Sequence, residues 1–291
     1  MATRPQTPTR PDPARTGDRR LPLRRPLTGS YATSAVIAIL IAASSLAGLA
    51  EVGTRYGSDP PSVLVSHGGD AANLVVVVPI LLATVWLTRR RSLPGLLLWP
   101  GALFYALYVY AIYLVAAPFT ALLFGYVAIV TLSAATLGAV ITSIDHPACR
   151  DRLAHTPARS VGAALLVVAV LAYAGLAATA VTAPGGATED LAFRGQWAVD
   201  TALGTPVLLL GGVLLWRRAT LGYTTGAGLL LVSGMGGLAF AAAAVLDGWL
   251  TQTATDPTVI AVHLAIATVD VILLAVFLRR ASVTHGRSPT G

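Results

Sequence analysis

Residues 73–95 read NLVVVVPILLATVWLTRRRSLPG: an apolar run entered at Asn73, broken once by Pro79, and closed by Arg89, Arg90 and Arg91. A helix needs about 20 mostly apolar residues to cross the hydrocarbon of a bilayer, and a charge cluster is what stops it at the interface. Residues 200–222 read DTALGTPVLLLGGVLLWRRATLG, which lies on the first stretch without a gap at an offset of 127. Asn73 falls on Asp200, Pro79 on Pro206, Arg90 and Arg91 on Arg217 and Arg218, and Gly95 on Gly222; seven of the 23 positions are identical. In so leucine-rich a chain the proline, the arginine pair and the glycine carry the match.

Working outward from these two stretches, the 291 residues are 55% hydrophobic and 11% charged, with a mean hydropathy of +0.72. Soluble domains carry about 25% charged residues, so the composition is that of a membrane protein. Eight apolar stretches are long enough to span: approximately residues 32–50, 71–88, 93–117, 118–142, 160–182, 199–216, 221–246 and 258–278. The expected fold class is all-α, a polytopic bundle of eight transmembrane helices with a parallel four-plus-four internal repeat. Residues 1–30, with seven Arg and six Pro, are expected to be a disordered tail. Residues 31–159 and 160–280 are the two four-helix halves, and 281–291 a second tail. Arg19-Arg20 before the first apolar run also fits a secretion signal, although a retained first span completes the even count.

All 20 basic residues are arginine, which excludes a retinal Schiff base, a Walker lysine and any lysine nucleophile. Eighteen of them fall on one side of the eight-span arrangement, leaving only Arg55 and Arg194 opposite. Positive charge is retained in the cytoplasm, so both termini are expected there, in the inner membrane. The basic pI is a topology signal and implies no nucleic-acid partner. Cys149 is the sole cysteine, and His146, Cys149 and His155 match no zinc spacing; no metal or other cofactor site is readable.

Candidate site residues are those that lipid makes expensive. Asp270 stands mid-span in the last helix, and His263, seven residues earlier, shares its face. Tyr105 and Tyr108 are too deep for an interfacial belt and want partners, for which Asp270 is a candidate; Trp99 and Tyr113 sit near the interfaces and read as belt anchors. Asn73 and Asp200 hold equivalent outer positions, either as helix caps or as the two walls of a pocket between the halves. Gly222, Gly226, Gly234 and Gly237 read as close-packing positions. The leading functional reading is permeation of a small solute or ion through Asn73, Asp200, His263 and Asp270. The competing class is a scaffold, sensor or assembly subunit whose polar residues only specify packing. Apart from the bilayer itself, a small solute or ion is the partner implied.

Two resemblances add to this. Asp200, Pro206, Trp216-Arg217-Arg218, Leu221-Gly222-Tyr223 and the Phe124-Gly-Tyr126 stretch look like a family of uncharacterised polytopic membrane proteins of high-GC bacteria and archaea, which implies the fold and lends no activity. Glu189-Asp190-Leu-Ala-Phe193-Arg194-Gly195 resembles the EExxxR motif of CAAX-type intramembrane proteases. That resemblance implies Glu189 as the base and His263 as the membrane histidine. The second acid is Asp190, however, no FxxxH follows, and Ala267 replaces the polar residue of HxxxN.

Overall fold

A computed structural model of the chain describes residues 21–51, 63–117, 119–182, 191–252 and 254–283. Its helices are α1 (Thr28–Ala50), α2 (His67–Arg89), α3 (Leu93–Ala116), α4 (Leu122–Ser143), the short α5 (His146–Leu153), α6 (Ala158–Thr182), α7 (residues 191–216), α8 (Thr220–Thr251) and α9 (Pro257–Val283). All but α5 contain a stretch long and apolar enough to cross a membrane. The described chain is all-helical, with one isolated backbone bridge between Leu23 and Ile144, and is an integral, multi-pass membrane protein.

Two boundaries differ from the sequence reading. Span six is expected as the shortest, yet α7 begins at Leu191, because Leu191–Val199 continues the helix through Asp200. Residues 21–27 are assigned to the disordered tail by composition. Instead, Arg24 N–H donates to the Ser143 carbonyl (2.7 Å) and Asp145 N–H to Pro22 O (2.9 Å), with the Arg24 and Asp145 side chains 3.8 Å apart. The tail of α4 offers free carbonyls there, and the strand-like segment takes them.

The helices carrying the two quoted stretches share three devices. Each has a five-residue π turn, Asn73–Val77 in α2 and Asp200–Gly204 in α7, followed closely by Pro79 or Pro206. Proline has no N–H to give and crowds the carbonyl four residues back; the wider turn relieves that clash. Each helix ends alike: Ser92 N–H returns to Leu87 O (3.0 Å) and Ala219 N–H to Leu214 O (2.8 Å). Arg91 (φ 61°) and Arg218 (φ 57°) occupy the left-handed position that this ending requires. Finally, Gly95 packs on Leu87 and Thr88, and Gly222 on Leu214 and Leu215, so a side chain at either would collide with the preceding helix.

At the centre α3 and α8 cross where Gly101 meets Gly228, backbone on backbone; these two residues are also 127 apart. α2 lies against α8 and α7 against α3. Gly68 touches Ala243 and Gly195 touches Ala116, again the same pair shifted by 127. Without a hydrophobic force between helices in lipid, such glycine contacts are the principal way to gain packing. α1 closes against α4, whereas α6 and α9 have few contacts with each other. Trp99 and Tyr113, expected as interfacial anchors, are fully buried: Trp99 stacks on Tyr31 (5.0 Å) and donates to Ser34 Oγ (3.1 Å).

Candidate functional site

The π turn of α7 widens the helix at Asp200 and turns its carboxylate toward α3, which α7 packs against. Tyr108 of α3 donates its hydroxyl to Asp200 Oδ1, and Gln196, one turn earlier in α7, also hydrogen-bonds the carboxylate. Around this pair lies a cavity of about 510 Å³. Phe104, Tyr105 and Tyr108 form its α3 wall, Ser233, Gly236, Gly237 and Phe240 its α8 wall, and Val262, His263 and Ile266 its α9 wall. Its fourth side is α6, from Val168 to Leu176. The space exists because four lining residues are glycine, namely Gly175, Gly204, Gly236 and Gly237. Gly237 also lets α9 approach, since a Cβ there would lie 2.5 Å from the His263 carbonyl.

Four of the six predicted site residues therefore meet in one place: Tyr105, Tyr108, Asp200 and His263. His263 stacks face to face on Phe240 (3.9 Å). Tyr105 is 1% exposed and its hydroxyl has no hydrogen-bond partner. Asp270, also 1% exposed, sits behind this wall, its Cβ facing Gly234, with Ser233 the cavity residue that interacts with it. Both its oxygens are buried without a hydrogen bond of ordinary geometry. The tyrosine partner expected at Asp270 is found at Asp200 instead, because α3 packs against α7.

Asn73 does not line this cavity. Its amide reaches Tyr113 Oη (3.4 Å), and Tyr113 donates to Asp70 Oδ1 (3.1 Å). Neither Asn73 nor Asp200 is a cap: each lies inside a continuous helix, its carbonyl accepting from the N–H five residues on. The true cap of α2 is Ser66, which accepts from Gly69 N–H (3.1 Å). Around Asn73 the interior is filled. Tyr110 stacks on Tyr113 (5.2 Å), Tyr126 closes edge-on, and Tyr110 Oη meets Ser44 Oγ (3.0 Å) and Ser45 Oγ (3.4 Å). Asp70 is 1% exposed and packs on Gly48, where a Cβ would overlap its carboxylate.

Sequence reasoning missed Gln196, Ser233 and Phe240. The glycine pair Gly236-Gly237 beside Ser233 was their available signal: two absent side chains next to a hydroxyl, deep in a span.

On the arginine-rich side, α5 is capped by Asp145, which accepts from Ala148 N–H (3.3 Å). His146 Nδ1 is 2.9 Å from Thr224 Oγ1, and burial together with nearby Arg24 lowers its pKa. Cys149 is buried and its thiol is pushed up to about 12, chiefly by desolvation, which makes it a poor nucleophile. Among the described residues no three His, Cys, Asp or Glu side chains cluster to hold a metal. Glu189 lies outside the described residues. No protein-family model, curated protein or solved structure matches this chain.

Proposed function

We propose that the protein is a duplicated four-helix membrane unit in which the second copy binds a small solute for passage across the bilayer. The observation that carries this reading is the cavity itself, a volume within the range of small-molecule sites, mostly apolar with few convergent polar groups. Duplication is supported by the shared π turns, the shared left-handed endings and the glycine contacts related by 127 residues. Four spans per half place both copies in the same orientation, around an axis along the membrane normal that runs through Gly101 and Gly228. The arginine distribution supports cytoplasmic termini and an inner-membrane location, with the cavity on the arginine-poor, outer side.

In this reading the solute settles against Asp200 and Tyr108, and the way onward leads past Ser233 to Asp270. A mid-span carboxylate with only Ser233 beside it is costly unless water or an ion reaches it in some state of the protein. Passage then requires α8 and α9 to part at Gly234 and Gly237, small-residue contacts that can slide without unpacking bulky side chains. The test is thiol labelling of Asp270→Cys in a Cys149→Ala background, with a membrane-impermeant reagent applied from each side of sealed vesicles. Labelling from both sides is the expected result. No labelling in a folded protein would remove the path and leave Asp270 as a packing residue of a membrane scaffold.

A further inference from the structure

The cavity's charge and its open side specify the chemistry of its occupant. Among the described residues its lining contains one carboxylate and no arginine, and the chain contains no lysine. Tyr108 and Gln196 both hydrogen-bond Asp200, and the Tyr108 hydroxyl donates to it, the arrangement of an acceptor-only carboxylate. Around that anion stand the rings of Phe104, Tyr105, Tyr108 and Phe240, whose faces attract a cation and repel an anion. Tyr105 adds a buried hydroxyl without a hydrogen-bond partner, whose oxygen can accept an N–H. The remaining wall is hydrocarbon. On α6 the lining residues Leu171, Ala172 and Gly175 are exposed, as is Val262 on α9, so the cavity opens sideways between two helices that barely touch, into the acyl region of the bilayer.

Resting on the solute-binding reading above, we infer that the cavity takes a protonated amine carried on an apolar body, which reaches it laterally from the membrane between α6 and α9. The ammonium N–H groups donate to Asp200 and to the free lone pair of Tyr105, and the apolar body lies along Leu171, Val262 and Ile266. An anionic amphiphile would meet Asp200 with no arginine among the described lining residues to offset the repulsion and with the His263 imidazole, stacked on Phe240, as the one basic side chain among them. A neutral one would leave the carboxylate without a counter-charge in a low-dielectric site.

The experiment uses the full chain in nanodiscs and three probes of matched length: octylamine, whose protonated form has three N–H groups, octanol and octanoate, at pH 7, with empty nanodiscs subtracted. Saturable binding of the amine is expected, at least tenfold tighter than the alcohol or the carboxylate. Asp200→Asn should weaken the amine at least tenfold, Asp200→Glu should restore most of it, and Tyr105→Phe should weaken it severalfold without loss of folded protein. Octanol binding as tightly as the amine, or an amine affinity untouched by Asp200→Asn, overturns the charge assignment while leaving a solute cavity in place. If none of the three binds saturably, the amine inference fails; the labelling of Asp270→Cys then decides separately whether the solute path survives.

Discussion

Asn73 and Asp200 stand at matching positions of matching π turns, and their surroundings are opposite. Around Asn73 the interior is solid, packed with Tyr110, Tyr113, Tyr126 and the carboxylate of Asp70. Around Asp200 there is a cavity of about 510 Å³. The backbone frames correspond, so side-chain volume at shifted positions decides which half is hollow. Tyr110 corresponds to Gly237, and Gly48, on which Asp70 packs, corresponds to Gly175, which stands open. Ser44 and Ser45, which hold the Tyr110 hydroxyl, correspond to Leu171 and Ala172 on the open side. Packing is thus unequal at matching positions: the surroundings of Asn73 are filled, and those of Asp200 keep an open space.

The comparison breaks most completely at the crossing both halves share. A side chain at Gly101 would overlap the Gly228 backbone, so Gly101→Leu should cost more than about 3 kcal/mol and abolish a monodisperse, folded protein on size exclusion. Next comes the packed side. Tyr110→Ala removes a fully buried ring and should lower stability by about 3–5 kcal/mol in a thermal or denaturant assay, whereas Tyr110→Phe, losing only the hydroxyl's bonds to Ser44, Ser45 and the Ile41 carbonyl, should cost about 1 kcal/mol. The two carboxylates should then differ. Asp70→Ala strips Tyr113 of a buried acceptor and should cost about 1–3 kcal/mol; Asp200→Ala leaves Tyr108 beside an open cavity and should cost under about 1 kcal/mol. Equal costs would mean that both sites serve packing.

The smallest effect is expected where α5, between the halves, meets α8. Burial and Arg24 lower the pKa of His146 below 6.5, so as pH falls the unfolded chain takes up this proton first. Its stabilising contribution is complete above pH 6.5 and is lost as pH drops from there toward the lower folded value. Partial exposure keeps the loss small. Melting temperature from pH 8 to 5 should fall slightly more for the native chain than for His146→Asn.

The eight spans were legible because lipid forces apolar length on every crossing helix, and no later packing can alter that requirement. The likeness of the two quoted stretches was legible through Pro79 and Pro206, the arginine pairs and Gly95 and Gly222, and both stretches carry a π turn and a left-handed ending. What spacing along one chain cannot encode is which helices become neighbours. Tyr108 and Asp270 were natural partners by cost alone, yet Asp200 lies on the helix that faces Tyr108. Asn73 and Asp200 looked like one shared pocket because equivalence was read as proximity, whereas each helix packs into the opposite half. The cavity itself left only a faint trace, since it is made of absent side chains, and glycine in a span signals close packing as readily as empty space.

The central claim is that equivalent interior positions are open in one half and closed in the other. Ser233 and Ala106 are such a pair, 127 residues apart, the first lining the cavity and the second fully buried. In a Cys149→Ala background, Ser233→Cys and Ala106→Cys would be exposed to a small, water-soluble methanethiosulfonate in sealed vesicles of known orientation. Ser233→Cys should label rapidly from the arginine-poor side, and Ala106→Cys should not label. Equal labelling of the two, or a silent Ser233→Cys in folded protein, would contradict that claim.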